Sequence, residues 1–88
     1  MLESEKKLVL NQLHHIRGHI NGIENMVNEG KDCPVVLIQV AAVTGSMKKL
    51  ELMITKHMAE QCIDRAIAEG RDLKQEIDKI LDNVFKYR

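Results

Sequence analysis

The side chains with most chemistry to offer are two thiols, Cys33 and Cys62, 29 positions apart in an 88-residue chain. A thiolate is a soft metal ligand or a nucleophile for sulfur exchange. The N-terminus, Met1-Leu2-Glu3-Ser4-Glu5-Lys6, has no apolar leader, so a cytoplasmic location is expected. In that compartment two cysteines point to metal or redox chemistry rather than to a structural disulfide. No nucleophile–base pair and no glycine-rich phosphate loop accompanies them, so no enzyme is expected.

The basic side chains are distributed unevenly. Net charge is zero, yet no acid occurs from Lys6 to Gly22, where Lys6, Lys7, His14, His15, Arg17 and His19 lie. A second acid-free stretch runs from Cys33 to Leu50 and closes with Lys48 and Lys49. The acids gather later, from Glu51 to Asp82. Such polarity suits a polyanion partner, although solvated helix faces would give it too.

The elements that must position these groups are helices. Apolar residues are 44% of the chain but aromatics only 2%. Val9, Leu13, Ile16, Ile20, Ile23 and Val27 step by three and four, as do Val36, Val40, Val43, Met47, Leu50 and Ile54. Leu73, Ile77, Ile80, Val84 and Tyr87 form a third seam. Ser4 suits an N-cap, Gly30 a stop, Asp32 and Pro34 a helix start, and Asp72 with Gln75 a capping box. Three helices are expected, roughly 4–29, 33–69 and 72–87, in a single domain over 1–88. No segment approaches 18 uninterrupted apolar residues, so no membrane span is expected.

The middle helix would be about 50 Å long, and its two cysteines ~43 Å apart along the axis. A disulfide needs Cα atoms within ~7 Å. One protomer cannot join them, whereas an antiparallel copy would set Cys33 beside the other chain's Cys62, twice per dimer. Val35, Leu37, Ile38, Ala41 and Ala42 add apolar surface beyond the seam, which argues for an obligate oligomer. The alternatives are a compact monomer broken near Gly45, and two buried cysteines that act only as small hydrophobes.

The run Asn11-Gln12-Leu13-His14-His15-Ile16-Arg17-Gly18-His19-Ile20-Asn21-Gly22-Ile23 resembles the first-helix signature of the CsoR/RcnR/FrmR-type repressors. Gly30-Lys31-Asp32-Cys33 and Val36-Leu37-Ile38-Gln39-Val40-Ala41-Ala42-Val43 resemble the start of that family's second helix, and Cys62 falls at its second cysteine. The resemblance implies an all-α, three-helix protomer with long antiparallel helices. It also implies a homodimer that pairs into a disc-shaped dimer of dimers, a homotetramer, and a DNA-binding repressor without a helix-turn-helix.

Copper-sensing members carry a His four residues before the second cysteine, where this chain has Met58; His57 stands one residue earlier, turned about 100° away. Asp32 replaces the Tyr that those members often place before the first cysteine, and Asp78 falls near their outer carboxylate. Retaining both cysteines without that His resembles the persulfide-sensing branch, often called CstR. The expectation is therefore a cofactor-free sensor of sulfane-sulfur donors in which Cys33 and Cys62′ become bridged and the operator is released. Cys33 is taken as the attacker because a helix N-terminus stabilises a thiolate, and Asp32 opposes this. The alternative is a Cu(I)-responsive repressor using Cys33, Cys62′ and Met58 or His57. Nickel or cobalt sensing would call for N-terminal histidines, and formaldehyde sensing for the first cysteine alone. A helical adaptor that binds no DNA is a further alternative.

For double-stranded operator DNA, the resemblance points to Lys49, with Arg17 and His19 in the first-helix signature on the same face. Lys6, Lys7, His14 and Lys48 supply further cations, repeated by oligomerisation. Gln12 replaces an Arg present in copper sensors. Gly18 and Gly22, inside the helix pattern, suggest close helix packing.

Overall fold

The structure, a computed structural model, describes residues 2–86; Tyr87, expected to end the third seam, lies outside them. The described residues form three helices, α1 (Glu3–Asn28), α2 (Cys33–Glu69) and α3 (Leu73–Lys86). This is the all-α, three-helix fold expected from the periodicity, and α2 runs through Gly45 without a break.

Gly30, expected as a stop, and Gly70, which ends α2, are both αL caps. Gly30 has φ +71°, its N–H donates to the Val27 carbonyl, and the Lys31 N–H reaches back to the Met26 carbonyl. Gly70, at φ +67°, repeats the pattern with Ile67 and Ala66 through its own N–H and that of Arg71. This paired bonding satisfies carbonyls that the ended helix leaves open, in a conformation only glycine enters cheaply. The α3 cap also follows expectation on its Asp72 side: the carboxylate accepts the Lys74 N–H at 3.0 Å. The start of α1 differs. Leu2, not Ser4, stands at the N-cap, and its N–H donates to the Glu5 carboxylate at 3.1 Å. A carboxylate three residues inside the helix does the work without a hydroxyl at the cap.

The chain divides into two compact units, Leu2–Leu52 and the part from Met53 onward. In the first, α1 and the first half of α2 form an antiparallel hairpin. Two cross-helix bonds set its direction: Gln12 reaches Ser46 and His19 reaches Gln39, so the numbering rises on α1 as it falls on α2. Residues seven apart share one side of a helix in such a pair. On α1 the inward rows are Val9, Ile16 and Ile23, and Gln12, His19 and Met26; on α2 they are Val36, Val43 and Leu50, and Gln39 and Ser46.

The seams read from periodicity therefore split. Ile16 is 4% exposed, while Ile20, four residues on, is 48% exposed. Leu13, Ile20 and Val27 on α1, and Val40, Met47 and Ile54 on α2, all face outward. The apolar stripe is wider than one partner helix can cover, and polar Gln12, His19, Gln39 and Ser46 occupy part of the inner side. This surplus leaves one 18-residue stretch of α2 with a mean hydropathy of 1.2, enough by length and composition alone for a membrane span, although Lys48 and Lys49 interrupt the helix and its later part is rich in charge. Gly18 and Gly22, read as close-packing positions, have nothing within 4 Å of where a Cβ would stand.

In the second unit Ala66 of α2 and Ile80 of α3 are buried, and Val84 is half-buried. Leu73 and Ile77, placed in the inner seam by periodicity, are exposed. Glu76 takes the inner position instead and is held by two cations: Arg71 at 3.2 Å and Lys79 at 3.6 Å. Arg71 also binds Glu69 at 2.9 Å, tying the last turn of α2 to the first of α3.

Candidate functional site

Cys33 is the first residue of α2 and is exposed; Cys62 lies in the last third of the same helix and is half-buried. Both are free thiols. The Asp32 carbonyl accepts the N–H groups of Val35 and Val36, and Pro34 has no N–H to satisfy, so the first turn closes cleanly behind Cys33. Cys33 belongs to the Leu2–Leu52 unit and Cys62 to the other.

Around Cys62 the helix decides which neighbours can assist. Met58 is one turn earlier on the same side and is half-buried. His57 is five positions from Cys62, about 140° around the helix. Its Nδ1 instead lies 4.0 Å from the Glu60 carboxylate. Of the two side chains weighed as a third copper ligand, Met58 therefore has the position and His57 does not.

The expected DNA contacts do not form a single face. Lys6, Lys7, His14, Arg17, Lys48 and Lys49 are all exposed. His19 is half-buried, and its Nε2–H donates to the Gln39 side-chain oxygen at 2.7 Å. Arg17, two residues earlier, is turned about 200° from it. His19 and Arg17 were expected together, and the helix separates them because a two-residue step nearly reverses direction.

Instead, one side of the hairpin carries a polar row. The Gln12 amide donates to the Ser46 carbonyl oxygen at 2.9 Å. His15 lies one turn beyond Gln12, and Lys49 one turn beyond Ser46. Lys6, Lys7 and His14 line a shallow depression along α1 with Glu3. Sequence reasoning passed over Gln39 and Ser46. Their seven-residue spacing, matched by Gln12 and His19 on α1, was the available signal.

These features match a known family. The metal-sensitive transcriptional repressor family matches residues 5–86. The copper-sensing transcriptional repressor CsoR of Bacillus subtilis (strain 168) is 39% identical over 82 residues, 93% of this chain and 79% of that protein. The nickel-responsive transcriptional regulator InrS has a solved structure with TM-score 0.78 and 38% identity, covering 93% of this chain and 91% of that one. The copper-sensing repressor CsoR with Cu(I) from Geobacillus thermodenitrificans NG80-2 has TM-score 0.83 at 22% identity, over 99% of this chain and 90% of that one, a likeness of fold. One relative near 40% identity senses copper and another responds to nickel, so overall likeness fixes the family more firmly than the signal. With the match running from residue 5 to residue 86, this chain belongs to the metal-sensitive transcriptional repressor family.

Proposed function

We propose that this chain is a cytoplasmic, operator-binding repressor whose inducer acts on Cys33 of one protomer and Cys62 of a second copy, and that the inducer is Cu(I). The observation that carries the reading is the placement of two free thiols on one unbroken helix, at its first residue and 29 residues later. At ~1.5 Å per residue such thiols serve one site only when two chains supply them. Thiolates and the Met58 thioether are soft donors suited to Cu(I). The copper-sensing role of the Bacillus subtilis relative supports the same ion. The outward apolar rows Leu13–Ile20–Val27 and Val40–Met47–Ile54 offer the second copy a surface, and dimers would pair into the tetramer that multiplies Lys49 and its neighbours along DNA.

A second reading is favoured by Met58 standing where an imidazole would complete a copper site, and by His57 facing Glu60. Here the inducer is a sulfane-sulfur donor. The Cys33 thiolate takes one sulfur atom from a polysulfide, which leaves one sulfur shorter. The Cys62′ thiolate then attacks the Cys33 persulfide, forming a disulfide and releasing hydrosulfide, and the sulfane sulfur is the oxidant. Bridges that retain sulfur atoms would be tri- or tetrasulfides.

One experiment separates the readings: anaerobic operator-binding titrations with Cu(I) or with inorganic tetrasulfide, each followed by non-reducing mass spectrometry. Under the copper reading, Cu(I) releases DNA, a Cu(I) chelator restores binding, and the denatured chain keeps its monomer mass. Release by tetrasulfide alone, with a cross-linked dimer reversed by dithiothreitol, would replace copper with sulfane sulfur. Cys33→Ser or Cys62→Ser should each abolish the response; a variant still released by Cu(I) would end the shared-site proposal. Failure of the unmodified protein to bind its own promoter region would leave the adaptor reading.

A further inference from the structure

We propose that His15 and His19 form a second, thiol-independent metal site on α1, a bis-imidazole site for a divalent transition-metal ion such as Ni²⁺ or Zn²⁺. The two residues are one turn apart, and their ring centres are 6.2 Å apart with the planes at 65°. An imidazole bound through nitrogen at ~2.1 Å holds its ring centre ~3.2 Å from the ion, so two rings on one ion have centres about 4.5 Å apart at a right angle and about 5.2 Å at a tetrahedral one. The observed pair is about 1 Å wider, a gap that a turn of the exposed His15 ring toward His19 closes. Helical side chains lean toward the N-terminus, which carries the His19 ring toward His15.

The second observation is the bond from His19 to Gln39. Because the Gln39 oxygen can only accept, His19 donates from Nε2, which leaves Nδ1 as the ring nitrogen open to a metal ion. A ligating imidazole characteristically gives its other N–H to an oxygen acceptor, which fixes the tautomer and ring direction. Gln39, on the facing helix, therefore pre-orients one of the two ligands. His15 is exposed, so water can complete the coordination sphere. No acid lies on α1 between Lys6 and Gly22, so this helix brings no carboxylate to the site near the pair. Two neutral nitrogens and water select borderline transition-metal ions over Ca²⁺ and Mg²⁺, which prefer oxygen. Ion occupancy would add positive charge to the side of the hairpin that carries Lys49.

The test titrates the full-length Cys33→Ser/Cys62→Ser protein with NiCl2 by calorimetry, so that thiols do not compete. One ion per chain is expected. His15→Ala and His19→Ala should each weaken binding at least ~10-fold, Gln39→Leu by roughly 10-fold through lost orientation, and His14→Ala not at all. Circular dichroism checks that each variant keeps its helix content. In the unmodified protein, paramagnetic Ni²⁺ should broaden the ring signals of His15 and His19 before those of His14. Equal affinity in His15→Ala, or no uptake by the double-serine protein below millimolar Ni²⁺, would overturn the site.

Discussion

The Gln12 side chain donates to the backbone oxygen of Ser46 at 2.9 Å, and this bond sets the level at which α1 and α2 meet. It brings Lys6 and Lys7 of α1 to the same end of the hairpin as Lys48 and Lys49 of α2. The Gly30 turn and Cys33 occupy the opposite end. Sixteen residues of helix, or about 24 Å, separate Lys49 from Cys33. On the reading proposed above, a change at Cys33 would reach Lys49 through the packing of the hairpin or of its partner copy.

Gln12→Arg should tighten operator binding. The position lies among the cations, and copper-sensing relatives are expected to use an Arg there. An added phosphate contact steepens the dependence of log affinity on log salt by ~0.9. The substitution also removes the amide bond to Ser46, at a cost of about 1 kcal/mol, readable as a lower melting temperature without DNA. Tighter binding with a steeper slope, despite lower stability, is the expected pair of results. An unchanged slope would remove Gln12 from the interface.

Lys49→Ala should weaken operator binding and flatten its salt dependence by about one phosphate per contacting protomer. Lys49 is exposed and lies at the far end of the hairpin from Cys33, so cysteine alkylation rates should stay the same. Fluorescence anisotropy across a salt series, run beside an alkylation assay, reads both. Unchanged affinity would move the DNA face elsewhere, with Arg17 the next exposed candidate.

The helices, and their ends apart from the start of α1, were legible because glycine, proline and three-to-four spacing act locally. Gly30, Gly70 and Asp72 take the roles that their chemistry allows. Which apolar row turns inward was not legible. Ile16 and Ile20 are identical in type and four residues apart, yet one is buried and the other exposed. Periodicity marks a stripe, and only the partner helix decides which part of it is covered. The stripe here is wide enough for more than one partner. Glu76 shows the same limit, since an acid reads as surface until Arg71 and Lys79 are seen around it. The cysteine pair was legible as a candidate site from spacing, while the choice of signal rests on a single position, Met58.

Glu76→Ala should loosen the second unit. The side chain is about 10% exposed and joins Arg71, which also binds Glu69 at the end of α2. Removing it leaves the Arg71 guanidinium with Glu69 alone and opens space beside Ile80. A loss of about 1–3 kcal/mol is expected by thermal or chemical denaturation. Glu76→Gln keeps the shape and one acceptor, so it should lose less. Hydrogen exchange should speed up in α3 more than in α1, because the broken contacts all lie in the later unit. Equal loosening of α1 would show that Glu76 supports the chain by another route.

Gly18→Ala tests what an isolated protomer cannot explain. Glycine inside a helix costs about 0.8–1.0 kcal/mol relative to alanine. At Gly18 nothing lies within 4 Å of the missing Cβ, and the same holds for Gly22. Within one chain, therefore, both substitutions should raise the melting temperature. Self-association is the second readout, followed by sedimentation across a dilution series. If stability rises and assembly is untouched, these glycines serve no contact. If helix content rises while the assembly weakens, a second copy approaches α1 at these positions, which is the close packing that their place in the helix pattern anticipates. The structure of the protomer favours the first result, and Gly22, on the side of the hairpin that carries His15, is the more exacting test.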